Sequence, residues 1–193
     1  MGSLTQLQKS LIIGTLLGDG YLRQIKGRKD AFLEVNHSIN AKDYVDWKYK
    51  ILRNISGTEP IPRRGNGSRI AYRFYTRQHP ELSQLFEMFY VDGKKRIPNI
   101  KIDPFMLAVW FMDDGSRCRD RDVYLNTQQF NLSDQGKLIS MLRELGLEAT
   151  LQKDKIYYRL RFLKKSIKPF NEMISNYLIP SMRYKLSYDP VET

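Results

Sequence analysis

Two short apolar segments of the chain each end in an aspartate followed by a glycine. They span residues 11–20 and 107–115, and their aspartates are Asp19 and Asp114. The C-terminal end of a helix carries a partial negative charge, so a carboxylate there is unfavourable unless a cation compensates it. If both segments are helices that pack side by side, the two aspartates meet and stay ionised only beside a cation. Paired carboxylates holding a divalent metal are typical of phosphoryl chemistry.

Residues before each apolar segment have the pattern of helix N-caps. Thr5 and Gln8 have the spacing of a capping box in front of the first segment. Asp103 and Pro104 supply a cap and a favoured first-turn proline in front of the second. Both apolar segments are therefore predicted to be helices.

The pattern that follows the first apolar segment is repeated after the second. In each case a strand hairpin, a helix, a second hairpin and another helix are predicted. The predicted elements are 21–38, 42–55, 61–76 and 80–89 in the first half, and 116–129, 133–145, 149–162 and 165–176 in the second. The sequence thus predicts an α+β protein of two pseudo-symmetric αββαββα halves. We expect residues 1–193 to form one compact domain, with halves at 4–99 and 104–188 and a linker at about 93–103.

The charge balance constrains the partner. The chain has 193 residues and a formal net charge of +11. Such a balance favours nucleic acid as the partner, ahead of an anionic membrane surface or simple solubility. No segment is long enough to cross a bilayer, no secretion signal precedes the first helix, and Cys118 is the only cysteine. We expect an intracellular protein without a membrane partner, in an organelle or a bacterial cytoplasm, which the sequence does not distinguish.

Basic side chains concentrate on one face of each predicted hairpin. Residues 61–77 contain five arginines and no carboxylate. Because strand side chains alternate, Arg73 and Tyr75 share a polar face, while Ile70, Tyr72 and Phe74 share the core face. The same alternation separates Arg159 and Arg161 from Ile156, Tyr158, Leu160 and Phe162. Two-stranded ribbons fit the DNA major groove. The predicted DNA-binding residues are Gln24, Lys26, Arg28, Arg63, Arg64, Arg69, Arg73, Tyr75, Arg77, Arg117, Arg119, Arg121, Lys153, Lys155, Tyr157, Arg159 and Arg161.

The paired segments resemble the two motifs of the LAGLIDADG homing endonucleases. The matches are residues 12–20 and 107–115, with Asp19 and Asp114 at the acidic position of the family motif. Residues 94–99, 125–128 and 177–186 are also similar to the single-chain branch of the family that carries two motifs. The resemblance covers nearly the whole chain.

The resemblance implies a fold and an activity. The motif helices would form a central interface, and the curved antiparallel sheets would form a saddle on double-stranded DNA. The protein would act as a monomer that cleaves both strands at a specific site with Mg²⁺. Mn²⁺ is expected to substitute, and Ca²⁺ to support binding without cleavage. The product would carry short 3′ overhangs and serve the mobility of an intron.

Each half contributes candidates for the catalytic machinery. Asp19 and Asp114 are the expected metal ligands, and the resemblance adds the backbone carbonyls of Gly18 and Asp113. The resemblance also implies that Lys95 and Lys185 lie near the scissile phosphates. Asn36 and Gln128 have the polar parity of the first strand pair in each half and are candidates to position the attacking water. His37 has the apolar parity and is predicted to be a packing histidine.

Two other functions stay open on the same fold. One is an RNA-binding maturase that assists splicing of intron RNA and needs no metal site. The other is a DNA-binding regulator that has lost cleavage. The presence of both aspartates counts against each alternative.

Overall fold

The computed structural model describes residues 2–65, 67–118 and 122–186. Two compact units divide the chain, Met1–Lys94 and Lys95–Thr193. The division falls within the predicted linker 93–103. No helix in the described part of the chain is long and apolar enough to cross a membrane.

The first unit contains three α-helices and a four-stranded sheet. A 3₁₀ turn precedes the second helix and another follows it. In chain order the elements are α1 (Gln6–Leu17), β1 (Tyr21–Arg23), β2 (Phe32–Ser38), α2 (Lys42–Leu52), β3 (Ile61–Arg64), β4 (Ile70–Tyr75) and α3 (Pro80–Phe89). A short hairpin of β5 (Tyr90–Val91) and β6 (Lys94–Lys95) follows. The sheet order is β1-β2-β4-β3, with antiparallel pairing throughout.

The second unit repeats this order of elements. They are α4 (Pro104–Asp114), β7 (Gly115–Cys118), β8 (Asp122–Leu125), α5 (Leu132–Glu144), β9 (Ala149–Asp154), β10 (Tyr157–Phe162) and α6 (Lys164–Ile174). The sheet order β7-β8-β10-β9 matches that of the first unit, and the pairs are again antiparallel. The predicted α+β class with two αββαββα halves is therefore confirmed.

The predicted caps begin both apolar helices. In α1 the N–H of Gln8 donates to Thr5 Oγ1 at 3.2 Å, and the N–H of Thr5 donates to Gln8 Oε1 at 3.1 Å. Helix α4 begins at Pro104, directly after its N-cap Asp103. The N–H of Met106, the third residue of the helix, donates to Asp103 Oδ1 at 2.7 Å. These bonds satisfy backbone donors that a helix leaves unpaired in its first turn.

The glycines that follow the aspartates let the chain turn sharply against the end of each helix. The N–H of Gly20 donates to Thr15 O at 2.7 Å, and a Cβ on Gly20 would lie 2.3 Å from Thr15 Cγ2. A Cβ on Gly115 would lie 2.0 Å from Phe111 Cδ2 and 2.4 Å from Phe111 O. Real carbon atoms do not approach so closely, because interiors are packed at van der Waals separation. Only glycine therefore allows these two turns.

Each sheet has one face packed on its own helices and an opposite face, which we name the outer face. In the first sheet Leu33, Val35 and Phe74 fill the packed face and are at most 1% exposed. Residues directly opposite each other in a ladder share a face. The register therefore places on the outer face Tyr21, Arg23, Phe32, Glu34, Asn36, Ile61, Arg63, Ala71, Arg73 and Tyr75.

The second sheet is divided in the same way. Val123, Leu125 and Leu160 are fully buried on its packed face. The register assigns to the outer face Ser116, Cys118, Asp122, Tyr124, Thr150, Gln152, Asp154, Tyr157, Arg159 and Arg161. The predicted polar positions of Arg73, Tyr75, Tyr157, Arg159 and Arg161 are confirmed.

Several predicted strand positions lie in loops or turns instead. Gln24, Lys26 and Arg28 follow the end of β1 at Arg23, so strand alternation does not apply to them. Lys155 and Ile156 form the turn between β9 and β10, with a φ of 56° at Lys155. Ile156 is consequently 79% exposed rather than part of the core. Ile70, where β4 begins, is likewise exposed.

Three of the predicted DNA-binding residues lie on the side of the packed face and not on the outer face. Arg64 pairs with Ile70, Arg117 with Val123, and Lys153 with Tyr158, so all three share the side of the packed face. The Arg117 guanidinium donates to the carbonyl of Leu186 at 3.2 Å. The predicted residues Arg119 and Arg121, and Asn66 in the first-half turn, lie outside the described residues.

Tyr90 supports the strand that follows Asp19. The backbone N–H of Leu22 in β1 donates to the Tyr90 hydroxyl at 3.0 Å, and both residues are buried. Burial raises the pKa of Tyr90 to about 12, so the hydroxyl stays neutral under ordinary assay conditions.

Tyr90→Phe is expected to lower the free energy of unfolding by about 1–3 kcal/mol. The ring is retained, but the buried N–H of Leu22 loses its acceptor, and an unsatisfied buried donor carries this cost. Thermal unfolding followed by circular dichroism measures the effect. Tyr184→Phe, which alters a 66%-exposed tyrosine, is the matched control and should change little. Equal stability of the two variants would show that Leu22 has no need of the hydroxyl.

Candidate active site and nucleic-acid interface

Asp19 lies two residues beyond the end of α1, in the turn that Gly20 makes possible. Its side chain is 52% exposed, and Oδ2 lies 3.7 Å from Nδ1 of His37. The His37 ring packs against Tyr44 with 5.3 Å between ring centroids. The prediction of a packing histidine is confirmed, and the same ring also touches the acidic end of the motif.

Asp114 is the last residue of α4, and β8 passes beside it. The N–H of Asn126 donates to Asp114 O at 2.9 Å, and Gln129 Nε2 donates to Asp114 Oδ2 at 3.5 Å. Asn126 also donates from Nδ2 to Ser116 Oγ at 3.3 Å. Two amide side chains therefore lie near this aspartate.

Lys185 supplies positive charge at the same helix end. Its Nζ donates to Met112 O at 2.6 Å and to Asp113 O at 3.4 Å. A cation at the C-terminal carbonyls of a helix offsets the partial negative charge that makes a terminal carboxylate unfavourable. The compensation expected from the sequence is thus provided in part by a lysine that the fold brings back from 72 residues away.

Lys95 lies in β6, directly before residues 96–97, which contact helix α5. Its Nζ is 5.9 Å from the ring centroid of Phe130. The adjacent Arg96 pairs through Nε with the buried Asp134 carboxylate at 2.9 Å, and Lys137 Nζ donates to Ile97 O at 2.7 Å. These contacts fix the backbone on the C-terminal side of Lys95.

Of the two amides predicted from strand parity, only Asn36 has the expected place. It is exposed on the outer face, directly opposite Arg73. Gln128 lies in a turn beyond the end of β8, and its Nε2 donates to Asp154 Oδ2 at 2.9 Å. The predicted strand-face position of Gln128 is wrong because β8 ends at Leu125, which leaves no alternation to extend.

The outer faces combine arginines with aromatic rings. Arg73 Cζ lies 5.5 Å from the ring centroid of Tyr75, and Arg159 Cζ lies 4.0 Å from that of Tyr124. Stacking of this kind holds a guanidinium with its donors available along the plane edge. Sheet surfaces with oriented arginines can contact phosphates and the base edges of the DNA major groove.

The repeated motif, the repeated unit and the basic outer faces agree with a match to a known family. The model of the LAGLIDADG DNA endonuclease family matches residues 9–170. The chain belongs to this family. DNA endonuclease I-ChuI of Chlamydomonas applanata is 29% identical over 211 residues, which cover 96% of this chain and 96% of the relative.

Two further comparisons concern a maturase and a second endonuclease. Cytochrome b mRNA maturase bI2 of Debaryomyces hansenii is 28% identical over 190 residues, covering 91% of this chain and 72% of the relative. The structure of the homing endonuclease I-WcaI bound to its DNA recognition sequence superposes with a TM-score of 0.89 at 25% identity. The match covers 98% of this chain and 90% of I-WcaI.

The ligands at the LAGLIDADG helix ends suit a hard divalent cation. Among the described residues, no three His, Cys, Asp or Glu side chains cluster to form a conventional metal cage. Each helix end offers instead at least one carboxylate together with backbone carbonyls, which are all oxygen ligands, and the end of α4 carries a second carboxylate at Asp113. Mg²⁺ prefers such ligands, retains several waters and is often held by one or two carboxylates plus substrate phosphates. The chemistry of Asp19 and Asp114 therefore fits Mg²⁺.

Sequence reasoning missed four residues near these surfaces. Gln129 and Asn126 contact Asp114, whereas Gln128 was the residue predicted for this position. Glu34 and Asp122 place carboxylates on outer faces that were predicted to be cationic. Glu34 could have been found from the alternation in residues 32–38, where it has the same parity as Asn36.

Proposed function

We propose that the chain is a homing endonuclease that cuts both strands of a specific double-stranded DNA target by Mg²⁺-dependent hydrolysis. The observation that supports this most is the twice-repeated helix end, in which an aspartate is held by a turn that only glycine permits. Neither packing nor helix capping needs an acid there, since both helix ends disfavour anions. Family membership and the basic outer faces support DNA as the substrate.

Each catalytic candidate has a role in this proposal. Asp19 would hold a metal ion in the first unit and Asp114 one in the second, each with the backbone carbonyl that precedes it, those of Gly18 and Asp113. When bound, Mg²⁺ supplies electrostatic stabilisation of the charge that develops on the phosphate oxygens.

Further side chains act on the phosphate and the water. Lys95 and Lys185 contribute positive charge beside the scissile phosphates. Asn36 orients the attacking water in the first unit. Gln129 replaces Gln128 in this role in the second unit, because its amide reaches Asp114.

DNA binding rests on the outer faces. Arg63, Arg73, Tyr75, Tyr157, Arg159 and Arg161 project from them, and Arg69, Arg77, Gln24, Lys26, Arg28 and Lys155 extend from adjoining loops and turns. Phosphate contacts fix the register of such a surface on the duplex, and contacts to base edges select the sequence. We propose that the protein binds as a monomer.

A maturase function is less well supported. Two relatives carry that name, but RNA binding requires neither of the Asp-Gly helix ends that the chain contains. Cleavage of DNA accounts for both features of the fold, the acidic helix ends and the basic sheet faces.

Selection of cleaved sites from a randomised duplex library tests the proposed function. Parallel reactions contain Mg²⁺, Mn²⁺, Ca²⁺ or EDTA. One recurrent cut site with Mg²⁺ and Mn²⁺, and uncut but bound duplex with Ca²⁺, is the expected outcome. Binding of structured intron RNA without cleavage of any duplex would favour the maturase alternative.

Affinity for duplex DNA is expected to fall steeply with salt. Phosphate contacts release counterions, so a surface making several of them loses about a thousandfold in affinity or more between roughly 50 and 200 mM salt. Fluorescence anisotropy with a labelled duplex measures the slope of log affinity against log salt. A flat dependence would contradict the assignment of the outer faces.

Single arginine changes refine this measurement. Arg63→Gln, on the exposed end of the first outer face, should reduce the slope by about one. Arg143→Gln is the matched control, because Arg143 is exposed on α5 and belongs to neither outer face. Equal slopes for the two variants would remove Arg63 from the interface.

A further inference from the structure

Carboxylates lie among the arginines of the outer faces, and two of them, Glu34 and Asp122, lie within ion-pair distance of an arginine. Glu34 is paired with Tyr21 on one side and Tyr75 on the other, and its side chain is only 7% exposed. Asp122 occupies the outer face of the second sheet, opposite Cys118. A surface that served only to attract phosphates would bind more tightly without these anions. Their presence on these faces points to a role other than overall affinity.

Glu34 contacts two arginines from neighbouring strands. Its Oε2 lies 2.6 Å from Arg23 Nε, and its Oε1 lies 3.9 Å from Arg73 Nη1. Each guanidinium also lies near a tyrosine ring, with Arg23 Cζ 5.7 Å from the centroid of Tyr21 and Arg73 Cζ 5.5 Å from that of Tyr75. Each of the two guanidinium groups thus lies near the same carboxylate and a tyrosine ring.

The second sheet has a related arrangement built from different residues. Arg161 Nη2 donates to Asp122 Oδ1 at 2.7 Å. Its neighbour on the same face, Arg159, stacks on Tyr124 at 4.0 Å. In both sheets, therefore, a carboxylate and aromatic rings on the outer face restrict the orientation of the arginine side chains.

An arginine side chain with a fixed orientation and a mobile one differ in the DNA groups that they bind. A mobile guanidinium can bind any nearby phosphate. One in a fixed orientation donates two hydrogen bonds only where the O6 and N7 atoms of a guanine are correctly placed. Fixing the side chain before binding also removes the entropy cost of ordering it in the complex. The nearby carboxylate at the same time weakens attraction to the DNA backbone in general.

We propose that Glu34 is a positioning residue for sequence recognition, which orients Arg23 and Arg73 for bases and lowers affinity for unrelated DNA. Asp122 does the same for Arg161. This role rests on the proposed function in that it takes duplex DNA as the ligand, but it concerns binding and not cleavage.

Three variants separate orientation from charge. Glu34→Gln keeps the shape and removes the charge. Glu34→Asp keeps the charge and withdraws the carboxylate by one methylene. Glu87→Gln makes the same charge change at an exposed position of α3, away from the outer faces, and is the matched control.

Sequence preference is measured by binding alone. Bound duplexes are selected from a randomised library with Ca²⁺ present, and affinities are then determined for the preferred site and for a scrambled duplex. Thermal unfolding establishes that each variant is folded. Asp122→Asn provides a second, less buried position at which the same measurement is made.

Opposite changes in the two affinities are expected for Glu34→Gln. It should bind the scrambled duplex about two- to threefold more tightly, since one repelling charge is gone. Its preference for the selected site should fall by about five- to a hundredfold, in one block of adjacent base positions. Glu34→Asp should lose preference without gaining general affinity, Asp122→Asn should affect a different block, and Glu87→Gln should match the wild type.

Three results would overturn this role. One is an unchanged preference in folded Glu34→Gln and Asp122→Asn. Another is an equal loss of affinity for both duplexes, which indicates a purely structural role. The third is a wild-type chain with no sequence preference at all. A wild type that shows preference but does not cut contradicts only the proposed function.

Discussion

Asp19→Asn and Asp114→Asn are each expected to abolish double-strand cleavage while sequence-specific binding of the duplex is largely retained. The amide keeps the shape of the side chain but removes the charge that holds the metal. Asp19 is half exposed, so the exchange requires no repacking. Loss of the metal's stabilisation of the transition state should slow cleavage of both strands by at least about a thousandfold.

Binding and stability should move in the other direction from activity. A carboxylate facing phosphates repels them when metal is absent, so affinity without metal should hold or rise slightly. Removal of an anion from a helix C-terminus should also preserve or raise the free energy of unfolding, by about 0.3–1 kcal/mol. Unchanged or higher melting temperatures in EDTA would show that lost cleavage is not lost folding.

Asp113→Asn is the matched control for this experiment. It lies at the same helix end, but only its backbone carbonyl is assigned to the metal, and that atom is unaffected by the exchange. Cleavage of one identified site is compared for wild type and the three variants with Mg²⁺, and binding with Ca²⁺. If Asp19→Asn or Asp114→Asn cuts both strands at the wild-type rate, the two-aspartate mechanism is wrong.

Gly115→Ala is expected to damage both the stability and the activity of the protein. The added methyl group would lie 2.0 Å from the buried ring of Phe111 and 2.4 Å from its carbonyl oxygen. Overpacking of this kind costs about 1–3 kcal/mol and sometimes more. Because the clash includes backbone, relief requires movement of the turn that carries Asp114. A displacement of about 1 Å at a catalytic group lowers the rate by about a hundredfold.

Gly20→Ala should behave in the same way, since its methyl group would meet both the side chain and the carbonyl of Thr15. Gly136→Ala is the control with the opposite expected sign. Gly136 is an exposed residue of α5 with open space where a Cβ would be, so alanine should stabilise the helix by up to about 1 kcal/mol. Chemical denaturation and single-site cleavage rates measure all three variants. Wild-type values for Gly115→Ala would mean that the turn tolerates a side chain.

Local signals predicted the elements well. The capping pattern of Thr5 and Gln8 begins α1 at the expected residue, and the proline at position 80 begins α3. Hairpin positions also followed from alternation, and the first predicted hairpin contains Gly27, which has a φ of 83°. These features depend on neighbours in the sequence, which is why they could be predicted.

Features that depend on strand length and pairing could not be predicted. Gln24 was placed on a strand face because the pattern continued past the point where β1 stops pairing. The sheet face on which Arg117 lies follows from its pairing with Val123. Strand β7 has only four residues, and their sequence pattern does not determine this pairing. The bond from Lys185 to Met112 joins residues 73 positions apart and has no local signature at all.

The carboxylate that Arg23 and Arg73 share has a consequence for retargeting the enzyme to new DNA sequences. Side chains in one network do not respond independently, so their substitutions are not additive. If Arg73 alone is replaced, Glu34 keeps only its contact with Arg23. The base preference of Arg23 is then expected to change as well, although Arg23 itself has not been substituted. The smallest unit that can be redesigned on this sheet is therefore the trio of Arg23, Glu34 and Arg73, varied together in a single library.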